Sequence, residues 1–285
     1  MGICFGPAGN AEQFYEEGGK SSAQIPKWLF EKGLNAYEYQ CGKGVLLKET
    51  LARKIGEEAQ KYDIELSIHA PYFISLSSVE KEKRENSIHY ILDSLQAASF
   101  MGAKRIVVHS GSCAKQSREE ALSLASQTLA KAVKSAKEHG YGDIFICPET
   151  MGKINQLGTL EEVLELCTID ETLLPAVDFG HLNARTLGGL KTFSDFQAVF
   201  EKIENRLGSE KLKKMHIHFS KIEYSAGGEK RHLTFEDEIY GPEFTYIARI
   251  LYQKKLEPVV ICESAGTQAK DALTLKNMYE AEALQ

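Results

Sequence analysis

Six segments of this chain end in a histidine, an aspartate or a glutamate that closes a run of apolar or β-branched residues. These candidate metal ligands are His69, His109, Glu149, Asp178, His216 and Glu263. Imidazole nitrogens and carboxylate oxygens are donors that Zn²⁺ and similar divalent ions bind in proteins. His181 follows Asp178 by three residues and is a further candidate. One Asp-x-x-His pair is also consistent with a loop turn beside a solvated histidine, but repetition of the pattern predicts a metal centre.

The number of candidate ligands indicates more than one ion. Three imidazoles and three carboxylates exceed what one tetrahedral zinc takes, so two or more ions sharing a bridging carboxylate are predicted. Two divalent ions about 3.5–4 Å apart lower the pKa of a bridging water and bind the oxygens of a phosphoryl group under attack. Hydrolysis of a phosphate ester is therefore the chemistry that these residues predict.

Short apolar segments alternate with amphipathic ones along the chain, which indicates alternating strands and helices. We predict about eight strands, at residues 2–6, 34–41, 63–69, 104–109, 143–149, 174–178, 214–219 and 257–263. Helices are expected between them, and three have capping sequences at Ser77-x-x-Glu80, Ser117-x-x-Glu120 and Thr159-x-x-Glu162. Residues 224–240 are predicted to form a long polar loop. The expected fold class is α/β, a (β/α)8 TIM barrel, in a single domain spanning residues 1–285.

A barrel explains how ligands scattered from residue 69 to residue 263 could meet. All strands of a parallel barrel point the same way, and barrel enzymes carry out their chemistry at the face formed by the carboxyl ends. Each candidate lies at or near the end of a predicted strand, so all six are expected at this face. Because side chains alternate along a strand, His216 and His218 share a parity and either could be the ligand. The alternative is that each candidate is only a solvated polar end of a strand.

Composition is that of an ordinary soluble globular protein. The chain has 43% hydrophobic and 26% charged residues, and no apolar run approaches the roughly 20 residues of a membrane span. The N-terminus lacks a basic region followed by an apolar one, so we expect a cytoplasmic protein without a membrane partner. The six cysteines form no CxxC pair and are expected to be reduced and mostly buried. A net charge of −6 argues mildly against general binding of polyanions, although bound divalent ions would offset several negative charges.

Several short motifs of the chain are similar to those of the endonuclease IV family, the zinc-dependent apurinic/apyrimidinic endonucleases built on a TIM barrel. The similarity runs from Asp63 to the last predicted strand and is weaker before it. The matching motifs are His69-Ala-Pro-Tyr72, His109-Ser-Gly-Ser112, Glu149-Thr150, Asp178-Phe-Gly-His181, His216-Ile-His-Phe-Ser-Lys221 and Glu263-Ser264. The resemblance implies a zinc-dependent enzyme of base-excision repair.

The resemblance also implies how the ligands would be grouped. The first zinc would be held by His69, His109 and Glu149. The second would be shared by Glu149, Asp178, His216 and Glu263. A third site would contain His181, His232 and one carboxylate. Glu149 and Glu263 would be the catalytic residues, with Glu263 orienting the hydroxide that attacks the phosphorus 5′ to an abasic deoxyribose.

A substrate and two contact residues follow from the same resemblance. The partner would be damaged double-stranded DNA, bound by a monomeric protein. Tyr72 and Phe73 would lie on a loop that inserts at the lesion. An exposed aromatic pair is almost equally consistent with a packed anchor of that loop.

The third site departs from the family pattern. The family's Asp-Arg-His is here Glu229-Lys230-Arg231-His232, so its aspartate is replaced by Lys230, or by Glu229 with one extra residue between the ligands. A lysine cannot bind zinc unless it is neutral, whereas the carboxylate of Glu229 could. Phe219 and His218 stand where the family has Asp and Asn. Two zinc ions are therefore expected, and occupancy of a third site is left open.

Two other functions are also compatible with the sequence. One is a metal-dependent sugar isomerase or epimerase, because xylose-isomerase-like barrels are distant relatives with a similar metal site at the strand ends. Such enzymes usually use one ion, carboxylate-rich ligands and a free base, whereas the histidines of this chain favour several ions. The other is a lesion-binding protein that holds metal without cutting, which the altered third site suggests.

Overall fold

The computed structural model of the protein describes residues 2–113 and 116–284 and contains ten strands in that part of the chain. They are β1 (Cys4–Pro7), β2 (Ala36–Gln40), β3 (Glu65–His69), β4 (Arg105–Val108), β5 (Phe145–Pro148), β6 (Ala176–Asp178), β7 (His216–Phe219), β8 (Ile222–Ser225), β9 (Gly228–His232) and β10 (Val259–Cys262). All except β8 and β9 run parallel, in two hydrogen-bonded sets ordered β1-β10-β7-β6 and β2-β3-β4-β5. Bridges between Ala8 and Glu38 and between Glu149 and Ala176 join the two sets. The predicted TIM barrel is thereby confirmed.

Helices alternate with the barrel strands and cover them. They are α1 (Glu12–Glu16), α2 (Ile25–Glu31), α3 (Glu49–Tyr62), α4 (Lys81–Met101), α5 (Arg118–Glu138), α6 (Leu160–Leu166), α7 (Phe179–Arg185), α8 (Phe193–Leu207), α9 (Ser209–Lys213), α10 (Phe244–Gln253) and α11 (Gln268–Glu282). Helix α3 illustrates how a helix packs on the strands. Its apolar residues Ala52, Ile55 and Ala59 recur at helical spacing and are buried on one side of the helix. None of the helices in the described ranges is long and apolar enough to cross a membrane.

Two of the three predicted capping boxes are confirmed. The Ser117 and Thr159 side chains accept hydrogen bonds at the starts of α5 and α6, and Glu120 and Glu162 complete the boxes. The prediction at Ser77 is wrong, because α4 begins four residues later, at Lys81. The buried Ser77 hydroxyl instead donates to the carbonyl of Ser112, which draws it toward the loop after β4.

The prediction of a polar loop at residues 224–240 is wrong in its first half. Strands β8 and β9 form an antiparallel hairpin there, and Gly228 turns the chain with a φ of 87°. Lys230 has no partner in the register, because Glu229 pairs with Tyr224 while Arg231 pairs with Glu223. The extra residue of this segment is thus absorbed as a β-bulge, which re-aims the strand.

The apolar core lies mainly between the strands and the surrounding helices. Rings of Phe179 and Phe200 stack there with centroids 5.6 Å apart, and both side chains are fully buried. Small and branched residues such as Ala36 and Ile261 fill the interior of the barrel itself. The expectation for the cysteines is confirmed: all six are free, and only Cys113 is not fully buried.

The loop from residue 151 to residue 158 lines the cavity at the mouth of the barrel and is held by two arginines. Arg185 donates to the carbonyls of Lys153 and Gln156, at 2.7 and 2.6 Å. Arg118 also donates to the Gln156 carbonyl and forms two short hydrogen bonds with Glu162, at 2.7 and 2.6 Å. Charge-assisted, two-point contacts of this kind fix geometry as well as adding stability.

Replacing Arg118 with Ala is expected to destabilise the fold by about 1–2 kcal/mol at neutral pH, an estimate already reduced because the Arg118 side chain is 37% exposed. Burial raises the pKa of Glu162, but Arg118 and the amides of Gly158 and Thr159 lower it more. A carboxyl group whose pKa is lower in the folded protein stabilises the fold at pH values above its pKa in the unfolded chain, about 4.3. This contribution to stability is lost as the pH falls through the pKa that Glu162 has in the folded protein. Urea titrations should therefore show the difference at pH 7 and a smaller one near pH 3.

The exposed ion pair between Lys202 and Glu161 offers the matched control. Both side chains are more than half exposed, so Lys202→Ala should change the free energy of unfolding by less than about 0.5 kcal/mol. An equal effect in the two variants, or a difference for Arg118→Ala that does not shrink in acid, would contradict this account of the loop.

Candidate metal centre

The mouth of the barrel brings together five of the six strand-end residues. His69 and Asp178 are the last residues of β3 and β6, and His109, Glu149 and Glu263 directly follow β4, β5 and β10. Because parallel strands end on one face, residues far apart in sequence meet there. The ligand atoms of the groups formed by these residues lie within 4.8 Å of one another.

Glu149 lies at the centre of the site, with one oxygen on each side. Its Oε2 is 3.1 Å from Nε2 of His109 and 3.5 Å from Nε2 of His69. Its Oε1 is 2.7 Å from Nδ1 of His218. The side chain is 1% exposed, so both oxygens are shielded from solvent. This is the position of a carboxylate that could bridge two ions.

The second group contains Glu149, Asp178, His218 and Glu263. Nδ1 of His218 lies 3.6 Å from Oε2 of Glu263. Asp178 is fully buried and accepts the backbone N–H of His181 at 2.7 Å through Oδ1, which caps α7. Its other oxygen, Oδ2, accepts no hydrogen bond and lies 3.3 Å from Nδ1 of His181.

His216, the ligand that the endonuclease IV motif implies, is not part of that group but forms a separate possible metal group with Glu38 and His218. Its Nε2 lies 3.0 Å from Glu38 Oε2 instead. His216 and His218 both point into the barrel, as their shared parity requires, but His218 is two residues nearer the carboxyl end of β7. Two residues correspond to roughly 6.6 Å along a strand, which separates one layer of the barrel from the next.

A third group lies beside the first two and contains His181, Glu229 and His232. Nε2 of His181 is 3.5 Å from Oε2 of Glu229. Of the two candidates at this position, Glu229 faces the group, while Lys230 pairs with Glu223. Gly152 permits the approach of the hairpin, since a Cβ there would lie 2.6 Å from Cβ of Glu229.

Three of the histidines have their second ring nitrogen fixed by a protein oxygen. Nδ1 of His69 faces the carbonyl of Ala70 at 2.9 Å, and Nδ1 of His181 faces the carbonyl of Thr150 at 2.9 Å. Nδ1 of His232 lies 2.7 Å from the hydroxyl of Ser220. Histidines that bind metal are held this way, because a hydrogen bond at one nitrogen fixes the tautomer and leaves the other lone pair free.

The electrostatics of the mouth favour cations. Burial acts to raise the pKa of Glu149, but the imidazoles around it hold that pKa well below its usual range. Burial lowers the pKa of His181, yet Asp178, Glu149 and Glu229 outweigh this and raise it to about 9. Oε2 of Glu149 and Oδ2 of Asp178 accept no hydrogen bond. The side chains around them are imidazoles and carboxylates, which are ligands that fit divalent ions such as zinc.

Tyr72 and Phe73 have different surroundings. The Tyr72 ring lies over the site, with its centroid 5.3 Å from the ring of His69 and 5.4 Å from that of His109. Phe73 packs edge-on against Tyr90 of α4, with centroids 5.5 Å apart. Tyr72 therefore faces the cavity, whereas Phe73 anchors the loop.

Sequence reasoning missed Glu38 and Lys153. Glu38 is a fully buried carboxylate in the middle of β2, and Lys153 lines the cavity beside His109 and Glu229. A carboxylate flanked by tyrosines at the centre of a predicted barrel strand was the available signal for Glu38. Nothing in the sequence around Lys153 distinguishes it from a surface lysine.

Comparisons with known proteins agree with this architecture. A family model described as Xylose isomerase-like TIM barrel matches residues 26–280. An uncharacterized protein of Methanocaldococcus jannaschii is 35% identical over 251 residues, which cover 88% of this chain and 89% of that protein. A probable endonuclease 4 of Mycoplasma genitalium is 28% identical over 227 residues, which cover 77% of this chain and 72% of that protein.

Solved structures share the fold at low sequence identity. The crystal structure of endonuclease IV from Thermus thermophilus superposes with a TM-score of 0.69 and 16% identity, covering 99% of both chains. A D-tagatose 3-epimerase-like protein superposes with a TM-score of 0.67 and 22% identity, covering 88% of this chain and 90% of its own. The resemblance to endonuclease IV that the motifs indicate is thus confirmed, while enzymes of another reaction class share the same barrel.

Proposed function

The chain belongs to the xylose isomerase-like TIM barrel family, and from that premise we propose that it is a zinc-dependent endonuclease that hydrolyses the phosphodiester bond 5′ to abasic sites in DNA. One observation carries the proposal. Two ligand groups share the carboxylate of Glu149, and a third group adjoins them. A shared carboxylate between adjacent groups suits phosphodiester hydrolysis, which uses paired ions.

We assign the three groups to separate ions, two of which form the catalytic pair. His69, His109 and Glu149 would hold one ion of the pair. Glu149, Asp178, His218 and Glu263 would hold the other. The group of His181, Glu229 and His232 would take a third. When bound, such ions supply a Lewis acid for phosphate oxygens and lower the pKa of water.

The protein's own residues have distinct roles in this proposal. Glu149 keeps the two neighbouring groups apart and supplies one oxygen to each. Glu263 is 14% exposed and faces the cavity, so its carboxylate can accept a hydrogen bond from the attacking water and orient it. Lys153 brings a positive charge to the cavity wall, where it can pair with a phosphate of the substrate.

An abasic duplex suits the site because the cavity combines charge with an exposed aromatic edge. Tyr72 is 56% exposed and lies beside the His69 and His109 rings, so it can occupy space that a missing base leaves in the stack. Relatives of this chain include proteins named probable endonuclease 4, which supports DNA as the substrate class.

The test is a strand-cleavage assay on a duplex with one abasic site. Zinc-loaded protein should nick the strand on the 5′ side of the site and leave a 3′ hydroxyl, which a polymerase can extend. The same duplex without the abasic site should stay intact. Binding of the abasic duplex without any nick would identify a lesion-binding protein and contradict the proposed hydrolase.

A sugar epimerase is the second candidate, and one specific observation favours it. Glu149, Asp178, His218 and Glu263 already form a complete four-residue set for a single ion. If that set were the whole centre, the protein would bind one ion per chain and exchange hydrogen with solvent at a carbon of a ketohexose. One bound ion, together with proton exchange in a ketohexose detected by NMR, would favour this reading over the nuclease.

Tyr72→Ala is expected to weaken binding of the abasic duplex by about 1–3 kcal/mol, roughly 5- to 150-fold in the dissociation constant. The reason is loss of the aromatic surface that faces the cavity. Phe73→Ala is the matched control and should change affinity much less, because Phe73 packs against Tyr90. Affinity is measured by fluorescence anisotropy. All proteins carry Glu149→Gln, so that the duplex is not cut during the measurement. Equal losses in the two variants would contradict the different roles of these rings.

A further inference from the structure

Glu38 is a fully buried carboxylate beneath the proposed metal centre. It lies in β2, and its Oε2 accepts a hydrogen bond from the hydroxyl of Ser67 at 2.9 Å. Its Oε1 accepts one from the side-chain amide of Gln40 at 3.2 Å. The same two oxygens face imidazoles, with Nε2 of His216 and Nε2 of His218 each 3.0 Å away.

A buried carboxylate needs polar partners to offset the loss of hydration, and Glu38 has partners at both of its oxygens. An ionised carboxylate without partners is strongly disfavoured in a protein interior. Ser67 and His216 contact Oε2, and Gln40 and His218 contact Oε1. The carboxylate is therefore fixed in position by contacts at both oxygens.

The ring of His218 lies between two carboxylates. Its Nε2 faces Glu38 on the inner side, and its Nδ1 faces Glu149 at 2.7 Å on the outer side. An imidazole that binds metal uses one lone pair and keeps the proton on the other nitrogen. Carboxylates face both ring nitrogens, so it is an ion bound at Nδ1 that would leave the proton on Nε2, where Oε1 of Glu38 lies 3.0 Å away and can accept it.

We propose that Glu38 is a positioning residue that holds the His218 ring and its tautomer, so that Nδ1 is presented to the ion shared with Glu149. His69, His181 and His232 have a carbonyl or a hydroxyl in the corresponding place. His218 has a carboxylate there instead of a carbonyl or a hydroxyl, whereas Nδ1 of His181 lies 3.3 Å from Oδ2 of Asp178 in addition to its contact with the Thr150 carbonyl. A carboxylate makes the imidazole more basic and a better ligand. The inference rests on the metal centre of the proposed function, but not on DNA as the substrate.

The test measures metal binding rather than catalysis. Metal-free wild type, Glu38→Gln, Glu38→Asp and Ser67→Ala are titrated with Zn²⁺ against a chromophoric chelator, and the visible spectra of the Co²⁺-loaded proteins are recorded. Glu38→Gln should weaken one ion by about 10- to 100-fold and change the Co²⁺ spectrum. Glu38→Asp should recover part of the affinity because it keeps the charge, and it serves if the Gln variant does not fold. Ser67→Ala removes one of several contacts of the same carboxylate and should weaken binding less than Glu38→Gln does, while Glu210→Gln, at a side chain that is 82% exposed, is the matched control and should keep wild-type affinity.

The outcomes separate this inference from the proposed function. Wild-type affinity and spectrum in Glu38→Gln would overturn the positioning role. Loss of one whole ion, to the same extent in Glu38→Gln and His216→Gln, would mean that Glu38 is itself a ligand, and would also overturn it. A wild type that binds the ions but leaves abasic DNA uncut would overturn only the nuclease proposal. A wild type that binds no divalent ion would overturn both.

Discussion

We expect the Glu149→Gln variant to cut an abasic duplex at least about 10³-fold more slowly than the wild type and to bind fewer divalent ions. A loss of that size corresponds to roughly 4 kcal/mol of transition-state stabilisation, within the several kcal/mol that metal ions supply. Glu149 gives one oxygen to the side of His69 and His109 and the other to His218. The glutamine amide of this variant would have a single acceptor oxygen, so it could serve only one of the two ligand groups. Its NH₂ group would stand on the other side, where the carboxylate oxygen is expected to bind an ion.

The matched control is Glu210→Gln, a substitution of the same type on α9, where the side chain is 82% exposed. It should cut and bind metal as the wild type does. Initial rates of nicking and the number of ions per chain, from elemental analysis after gel filtration, are the measurements. Full ion content with full cleavage in Glu149→Gln would remove the basis for a bridging carboxylate.

The second large effect distinguishes two histidines on one strand. We expect His218→Gln to lose one ion and to slow cleavage by roughly 10²–10³-fold, because Nδ1 of His218 faces the group of Glu149 and Glu263. His216→Gln should keep the ions and most of the activity. Its main effect should be on stability, about 1–3 kcal/mol, because Glu38 loses a buried partner.

This pair of variants also tests the assignment that motif similarity alone would make. The motif aligns His216 with the family's ligand, whereas the distances select His218. Ion content and urea titrations on both variants decide between them. A protein that loses its ion in His216→Gln and retains it in His218→Gln would contradict the geometry described for β7.

Much of the site could be predicted because its ligands close the apolar runs that form the strands. His69, His109, Glu149, Asp178 and Glu263 each end such a run, so a parallel barrel necessarily gathers them at one face. The choice between His216 and His218 could not be made in this way. Parity gives the direction of a side chain, but its depth in the barrel depends on the stagger of neighbouring strands, which the sequence does not encode locally.

The features that sequence reasoning missed depend on contacts between distant segments. The hairpin of β8 and β9 resembles a polar loop locally, and its position depends on pairing with the loop that contains Gly152. Ser77 has the local signature of a helix cap, but its hydroxyl is used by the loop after β4. Glu38 is understandable as a buried charge only once His216 and His218 are placed above it.

The central claim is that residues from separate strands hold two adjacent divalent ions on either side of Glu149. The most direct measurement is an anomalous difference map, recorded at the zinc edge, from crystals of the zinc-loaded protein. The account predicts two strong peaks about 3.5–4 Å apart, one beside His69 and His109 and the other beside His218 and Asp178. A single peak, or peaks away from the Glu149 carboxylate, would contradict it.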